Sequence, residues 1–324
     1  MADEDRNRGL RGVWTALVEA FGAFNEDNVP QLAAALAFSA IFAIAPFAII
    51  AIALGSLFFG RAEVRAEILR QAASYVGPQA AEFVDGLIAE ASAPVASIPA
   101  AIFGILAVLF TAMGLFGLLQ LTLNQIWGVK PKPGGGIKRL LTTRIPSFLM
   151  VLALGVLILL TLGTSTAVSA FTRLVPESLP ASAFLLELAN FAASVVVTTV
   201  AFALIYMILP DVHLSFADVF GGALITALIF NVGQILIGLY IAYGSLASIY
   251  GAAGSLVVIL IWVYFSAQVF LYGAELTQVF ARRRGSKMEP SGNAQRVRHL
   301  IPVKPISLER MRRLGRRRTE RKED

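Results

Sequence analysis

The chain has 324 residues, of which 57% are hydrophobic and only 15% charged, with a formal net charge of +6 and no cysteine. A soluble domain carries about 25% charged residues, so this composition excludes an ordinary soluble fold. The lack of cysteine excludes disulfides, thiolate metal sites and a cysteine nucleophile.

Residues 1–30 predict a cytoplasmic segment with one amphipathic helix. They open on Ala2-Asp3-Glu4-Asp5, and the first apolar run starts only at residue 31, so no cleavable signal peptide is expected. From Leu10 to Phe24, apolar residues recur at helical spacing, which predicts a helix too short and too polar to cross a bilayer. Two interpretations stay open: the helix lies at the membrane interface with Trp14 at headgroup level, or it packs against the protein's own cytoplasmic ends.

Five stretches of the chain contain no Asp, Glu, Lys or Arg, and each is long enough for a helix of about 20 residues to cross a bilayer. These stretches are 31–60, 91–129, 145–172, 188–210 and 219–274. Their apolar residues are continuous rather than alternating, which is typical of spanning helices and not of barrel strands. Because the last stretch has room for two crossings, the sequence predicts an all-α, polytopic membrane protein. Its membrane domain covers residues 31–281 and contains six transmembrane helices.

The six predicted spans are Leu32–Phe58, Pro99–Leu121, Ile145–Ala170, Leu188–Leu209, Val219–Tyr243 and Ser255–Ala274. Pro46 lies inside the first span and predicts a kink with a hinge role, because proline lacks an N–H and its ring clashes with the preceding turn. Between the first two spans, residues 61–98 contain two amphipathic pieces on either side of Gly77-Pro78. This region predicts a helical hairpin on the outer, periplasmic or exterior, side of the membrane.

The distribution of Lys and Arg predicts the orientation. With the N-terminus inside, the inner segments hold 23 Lys and Arg residues and the outer loops hold four. Cytoplasmic loops carry the excess of basic residues, so both termini are predicted to be cytoplasmic and the protein to lie in the cell inner membrane. Residues 282–324 hold 15 of the basic residues and five acidic ones, and this low-hydrophobicity tail is predicted to be disordered or surface-bound.

The basic tail predicts contact with a membrane surface. A polybasic segment beside a membrane is attracted to anionic lipids by about 1 kcal/mol per charge. The residues predicted to make this contact are Arg282, Arg283, Arg284, Arg312, Arg313, Arg316, Arg317 and Arg318. No aromatic residue interleaves the Arg run, so nucleic acid is not an expected partner.

The sequence shows no constellation of residues for catalysis. Its two histidines, His213 and His299, belong to separate segments, and no HExxH, GxSxG or Walker-type motif is present. The glycines at 134–136 precede Lys138 but follow no predicted strand, which indicates a flexible turn rather than a phosphate loop. The sequence therefore predicts a protein that is not an enzyme and that carries no metal or other cofactor.

Polar residues inside the spans are the candidate functional residues, since they are costly in lipid and usually face the bundle interior. They are Asn124, Asn231, Gln234, Tyr264, Gln268, Tyr272 and Glu275. They either line a transport path or join helices by interhelical hydrogen bonds worth roughly 0.6–2 kcal/mol each. Glu275 has the further alternatives of an ion pair, with Arg144 as one partner, or of proton coupling or contact with a basic ligand. Gly251 and Ser255, four residues apart, predict close helix packing.

Several short motifs resemble the YihY/BrkB family of inner-membrane proteins over about residues 10–282. The matching stretches are Leu32-Ala33-Ala34-Ala35-Leu36-Ala37-Phe38-Ser39 with Pro46, Leu123-Asn124-Gln125-Ile126-Trp127, Tyr206 through Leu209-Pro210, Gly251-Ala252-Ala253-Gly254-Ser255, Trp262-Val263-Tyr264 and Gly273-Ala274-Glu275. Some members have carried a ribonuclease label, which no acid/base or metal constellation supports here. The resemblance implies transport of a lipid or another envelope component.

Two functions therefore compete at the level of sequence. The first is a transporter or flippase-like protein for a lipid or amphipathic envelope component, with the polar residues of the spans as its path. The second is a non-transporting envelope scaffold that uses the outer hairpin and the tail as docking surfaces. The expected partners are membrane lipids, with a homo-oligomer or other envelope proteins as further candidates.

Overall fold

The computed structural model describes residues 10–92, 98–132, 160, 163–164, 182–243, 250–286, 288–292 and 294–297. The helices within these ranges are α1 (Leu10–Glu26), α2 (Val29–Gly55), α3 (Arg61–Val76), α4 (Pro78–Ala91), α5 (Ile98–Ile126), α6 (Ser182–Ile208), α7 (Phe216–Tyr243) and α8 (Gly254–Arg283). A short 3-10 helix, Gly251–Ala253, precedes α8. The strands are β1 (Val129–Pro131), β2 (Val212–His213), β3 (Glu289–Pro290) and β4 (Ala294–Arg296).

Four helices of the described chain are long and apolar enough to cross a membrane, which confirms the prediction of a helical membrane protein. They are α2, α8, Leu186–Ile208 of α6 and Phe216–Ile241 of α7. The second predicted span coincides with the 29-residue helix α5. The third predicted span, at residues 145–170, lies almost entirely outside the described residues, so the count of six spans stays a prediction.

Helix α1 packs against α8 through its smallest side chains. Ala16 and Ala20 are fully buried against Leu276 and Val279 of α8. The carbonyl of Gly12 accepts a hydrogen bond from Arg283, and at the other end of α1 the Phe24 ring meets Tyr272 edge-on. The helix therefore runs antiparallel along the last three turns of α8, as in the second of the two interpretations. Its opposite face exposes the apolar side chains of Trp14, Val18 and Phe21, for which contact with lipid stays a prediction.

The chain breaks between α1 and α2 at Asp27 and Asn28. Asn28 has φ 54° and ψ 39°, the left-handed conformation that Asn tolerates better than most residues. Pro30 follows in the first turn of α2, where its missing N–H costs nothing because that position has no intrahelical acceptor. Two successive helices are thus separated by a two-residue interruption.

Helix α2 continues from residue 29 to residue 55 through Pro46, whose ring is buried. The predicted hinge role of Pro46 stays a prediction. At the end of α2, Gly55 lies against Val64 of α3, where an added Cβ would come within 2.9 Å of the valine methyl groups. This contact explains why the chain has glycine at that end of the span.

Helices α3 and α4 follow α2 and meet at Gly77, whose φ of 107° is open to glycine but disfavoured for other residues. Val64 of α3 and Val84 and Ile88 of α4 bury their side chains against Ala48 and Ile52 of α2. The two amphipathic pieces expected in this region are thus two helices packed on a span. Their place on the outer side of the membrane stays a prediction.

Helices α7 and α8 approach so closely that side chains of one helix fill the glycine positions of the other. A Cβ on Gly222 would lie 2.1 Å from the Thr277 hydroxyl, and a Cβ on Gly273 would lie 2.2 Å from the Thr226 hydroxyl. Small residues let spans pack in this way when hydrophobic burial cannot drive their association. Gly251, which the sequence proposed for close packing, has open space around it instead.

The segment after α8 folds back and pairs with the loops that follow α5 and α6. Residues 288–292 and 294–297, which we call the C-terminal strap, supply β3 and β4. Strand β4 pairs antiparallel with β1 after α5, and β3 pairs antiparallel with β2 after α6. The expectation of a disordered or surface-bound tail from residue 282 is therefore wrong for this part, because backbone pairing orders it. Residues 298–324 lie outside the described residues.

Candidate functional site

The amide of Asn231 in α7 joins this helix to α6. Its Oδ1 accepts a hydrogen bond from the Ser194 hydroxyl, and its Nδ2 donates to the Thr198 hydroxyl at 3.4 Å. The same Nδ2 donates to the Ala227 carbonyl one turn earlier, at 2.8 Å. Both ends of this buried amide are thus satisfied inside the bundle.

Gln234 makes the corresponding connection between α7 and α8. Its Oε1 accepts a 2.6 Å hydrogen bond from the indole N–H of Trp262, and its Nε2 donates to the Ser266 hydroxyl at 3.3 Å. Asn231 and Gln234 lie three residues apart, yet they serve different neighbours of α7. A side-chain amide that both donates and accepts in this way holds the two helices in register. If the helices shifted, its N–H and carbonyl groups would lose their partners, and no water inside the bundle would replace them.

Asn124, near the end of α5, binds the turn after α6. Its Nδ2 donates to a carboxylate oxygen of Asp211 at 2.8 Å, and its Oδ1 accepts the Asp211 backbone N–H at 2.8 Å. Gln120, one turn earlier, donates to the other carboxylate oxygen at 3.3 Å. This arrangement ties the end of α5 to the end of α6 by charge-assisted hydrogen bonds.

The three predicted polar residues of α8 before Glu275 differ in their surroundings. Tyr272 donates its hydroxyl hydrogen to the Leu17 carbonyl of α1 at 3.0 Å. Gln268 and Tyr264 lie one and two turns earlier on the same face and are half-buried. Their side chains are therefore partly covered by the bundle and partly exposed.

Glu275 is the exception among the predicted residues. Its side chain is fully buried, and neither carboxylate oxygen has a hydrogen-bond partner within the described part of the chain. The charged groups that act on it are the carboxylates of Asp27 and Glu26, at the α1–α2 junction, and the guanidinium of Arg282. Arg144, the ion-pair partner considered from sequence, lies outside the described residues. A buried carboxyl without a fixed partner is tolerated most readily when it carries a proton, because an isolated buried charge is very costly.

A second buried polar group without a partner lies at the same contact between α5 and α8. The indole N–H of Trp127 is enclosed and makes no hydrogen bond among the described residues. The preceding residue, Ile126, accepts a hydrogen bond from Gln278, one turn beyond Glu275. An unsatisfied donor and an unsatisfied acceptor therefore belong to one junction of the bundle.

The three arginines at the end of α8 bind other parts of the protein. Arg283 pairs with Glu19 at 2.8 Å, while Arg282 lies 3.6 Å from the same carboxylate. Arg284 donates to the Ala217 carbonyl and lies 3.8 Å from Asp218 in the first turn of α7. Their predicted contact with anionic lipids stays a prediction, as does that of Arg312, Arg313, Arg316, Arg317 and Arg318, which lie outside the described residues.

Sequence reasoning missed residues whose role depends on a distant partner. Asp211 binds Asn124, Tyr206 donates a 2.6 Å hydrogen bond to the Phe270 carbonyl, and Asp27 acts on Glu275. The glycine–threonine pairs did carry a signal, since Gly222 and Thr226 repeat the four-residue spacing of Gly273 and Thr277. No sequence signal indicated a role for Asp27, because it lies outside the charge-free stretches.

The described residues contain no group of three or more His, Asp or Glu side chains that could hold a metal ion. Their ionisable groups near the membrane region are instead carboxylates and guanidinium groups at the junction of α1, α2 and α8. Such groups can bind protons, pair with charged headgroups or hold helices together.

Apolar spans joined by buried amides and close glycine contacts define a helical integral membrane protein. Residues 20–298 match the family described as virulence factor BrkB, and the chain belongs to this family.

Relatives of the chain carry the name UPF0761 membrane protein. That of Aggregatibacter aphrophilus is 30% identical over 267 residues, covering 82% of this chain and 91% of the relative. That of Alteromonas mediterranea is 28% identical and covers 81% of this chain and 87% of the relative. That of Rhodospirillum centenum is 27% identical and covers 97% of this chain and 71% of the relative. No solved structure matches the chain.

Proposed function

We propose that the protein is a transporter or flippase-like protein of the cell inner membrane that moves a lipid or an amphipathic envelope component. It has six spans, with residues 145–170 as the third, and both termini in the cytoplasm. The observation that carries the transport proposal is Glu275, a fully buried carboxyl with no hydrogen-bond partner among the described residues, whereas the amides of Asn124, Asn231 and Gln234 are paired. An ionisable residue inside a membrane domain marks a functional site by default, because a structural role requires a fixed partner.

The pattern of polar groups favours an amphipathic substrate over a small hydrophilic one. A hydrophilic solute needs a continuous polar path, whereas Asn231 and Gln234 are engaged with neighbouring helices. A lipid keeps its acyl chains in the bilayer and needs polar contacts for its headgroup alone. The half-buried side chains of Tyr264 and Gln268 supply such contacts on one face of α8.

The positions of the strands support the proposed orientation. The ends of α5, α6 and α8 meet, since β1 and β2 both pair with the C-terminal strap. These ends belong to segments that the predicted six-span topology places on the inside. Helix α1 joins them through the ion pair between Arg283 and Glu19. Four segments that the predicted topology places on one side thus lie together.

A scaffold function is the second candidate, and the paired amides favour it. The side-chain amides all form hydrogen bonds with neighbouring segments, as expected of a bundle that holds one conformation. They are those of Asn124, Asn231 and Gln234. Under this alternative, helices α3 and α4 and the basic tail dock other envelope proteins. Glu275 then has a role in the folded structure alone.

Lipid transfer in reconstituted vesicles separates these two candidates. The probe is a phospholipid with a fluorescent headgroup, whose inner-leaflet fraction is measured by quenching from outside. We expect the full chain to accelerate transfer between leaflets and Glu275→Gln to reduce the rate at least about tenfold, the loss of roughly 1.4 kcal/mol of stabilisation of the rate-limiting step. Glu187→Gln, which changes an exposed acid on α6, should leave the rate unchanged. Transfer no faster than in protein-free vesicles would favour the scaffold.

A further inference from the structure

The break between α1 and α2 lies near the turn of α8 that contains Glu275. At the end of α5, Gln125 donates to the Asp27 carbonyl at 3.2 Å, and the next residue, Ile126, accepts a hydrogen bond from Gln278 of α8. Asp27 occupies the two-residue interruption that contains the left-handed Asn28, and its carboxylate acts on that of Glu275. Irregular backbone beside a membrane domain is tolerated where it is buried in protein or lines a functional site, and this break separates α1 from the start of the span α2. The interruption and the unpartnered carboxyl are independent observations that point to the same place.

The surroundings of Glu275 favour a proton over a metal cation as the ion that binds there. Its neighbours on α8, Leu271, Ala274 and Leu276, are apolar and fully buried. A metal cation needs several oxygen ligands around it, whereas the described residues bring two acidic side chains to this junction, with a third, Glu26, adjacent to Asp27. A proton needs one oxygen atom and no cage. Two interacting carboxyl groups readily hold one proton between them, since both cannot be ionised at low cost in a buried place.

Arg282 supplies a counter-charge when the proton leaves. It lies seven residues after Glu275, two turns along the same face of α8. Its guanidinium acts on the Glu275 carboxyl, while its ion pair with Glu19 is long, at 3.6 Å, and exposed. Arg283 holds Glu19 independently at 2.8 Å. Arg282 is thus a cation near Glu275 that the packing of α1 does not require.

From these contacts we infer that Glu275 on α8 and Asp27 in the α1–α2 break form a proton-binding site that couples transport to a proton gradient. The coupling part of this inference rests on the proposed transport function, whereas proton binding does not. Glu275 gives up its proton to Asp27 or to a solvent path at the junction, and the ionised carboxylate is balanced by Arg282. No covalent bond other than the O–H bond changes.

Infrared difference spectroscopy tests proton binding without a substrate. The full chain, reconstituted in lipid nanodiscs, is titrated from mildly acidic to mildly alkaline pH. We expect the band of a protonated, buried carboxyl group to disappear on titration and to be missing at every pH in Glu275→Gln. In Asp27→Asn the band should persist in the acidic range but be lost at a lower pH, by on the order of one pH unit, because a neighbouring negative charge is removed. Glu187→Gln is the matched control and should keep the band.

Labelling with dicyclohexylcarbodiimide gives a second measurement on the unaltered chain, since this reagent modifies protonated carboxyl groups in apolar surroundings. Peptide mapping should find the adduct on Glu275, with a yield that falls as the pH is raised. The inference is overturned if no carboxyl band depends on Glu275, if its titration is unaffected by Asp27→Asn, or if Glu275 stays unmodified at every pH. A positive result in both measurements, without lipid transfer in vesicles, would leave the proton site standing and refute the transport function.

Discussion

The two glycine–threonine pairs between α7 and α8 show how single residues set the distance between spans. Thr226 donates to the Gly222 carbonyl and Thr277 to the Gly273 carbonyl, so each threonine satisfies its hydroxyl within its own helix. Each threonine side chain, with its hydroxyl nearest, also fills the space over the glycine of the opposite helix. The close contact between α7 and α8 therefore requires the glycines, which leave room, as much as the threonines that fill it.

A single added methyl group should weaken this interface. In Gly222→Ala, the new Cβ would lie 2.9 Å from the Thr277 backbone, which cannot rotate away, so we expect a loss of about 1–3 kcal/mol in stability. Gly238→Ala, in the same helix with nothing within 4 Å of the new Cβ, is the control and should be neutral or slightly stabilising. Thermal unfolding of both variants in detergent measures the difference. Equal stabilities would show that α7 and α8 are farther apart.

Replacing Asn231 should lower the stability of the protein rather than abolish lipid transfer by the folded molecules. Asn231→Ala leaves the hydroxyl groups of Ser194 and Thr198 without their interhelical partner, which should cost about 0.6–1.7 kcal/mol. Asn190→Ala removes an exposed amide from α6 and serves as the control. Unfolding temperature and lipid transfer per folded molecule are measured together. If transfer were abolished while stability stayed normal, Asn231 would line a path rather than join two helices.

At the scale of elements, the C-terminal strap links loops that are far apart in sequence. The Val297 backbone N–H donates to the Gly128 carbonyl at 2.8 Å, and the Ser291 N–H donates to the Asp211 carbonyl at 2.9 Å. Asp211 is also held by Asn124, so the strap reinforces an existing connection between α5 and α6. Three segments, those after α5, α6 and α8, are thereby fixed to one another outside the apolar helices.

The strap could not be predicted from sequence, for a physical reason. Its strands have two or three residues each, too few to show the alternation that marks a strand, and they form only because β1 and β2 present partners. Its charge and low hydrophobicity, read alone, indicate disorder. The spans, by contrast, were predicted because hydrocarbon requires a continuous apolar composition within each segment.

Two truncations test the strap. A chain ending at Val297 keeps both strand pairs and should unfold at the same temperature as the full chain. A chain ending at Ser286 loses them and should be less stable by a few kcal/mol, because several backbone hydrogen bonds and the alignment of the α5 and α6 ends are lost. Equal unfolding temperatures for the two truncations would contradict a stabilising role for the strap.

For the whole molecule, the sequence supports a prediction of the direction of the spans but not of their pairing. Lys and Arg counts report on which loops stay inside, a property of each loop alone. The neighbours of Asn231, Gln234 and Glu275 depend on which helices touch, and no single-helix pattern contains that information. The candidate residues were therefore found from sequence, but the distinction between the paired amides and the unpartnered Glu275 came from the structure.

The orientation can be tested directly because the chain has no cysteine. Ser74→Cys places a thiol on an exposed residue of α3, and Ser307→Cys places one in the tail. In intact cells, a maleimide that cannot cross the inner membrane should label the first variant and not the second; after lysis it should label both. Labelling of both thiols in intact cells would place the tail and α3 in one compartment.

Glu275 is the residue proposed to connect proton movement to the transfer of an amphipathic substrate. Lipid transfer should be measured in vesicles with and without an imposed pH gradient, for the full chain, for Glu275→Gln and for Glu187→Gln. We predict that the gradient accelerates transfer by the full chain and by Glu187→Gln but leaves Glu275→Gln at a constant, low rate. An equal response to the gradient in Glu275→Gln and in the full chain would contradict the account.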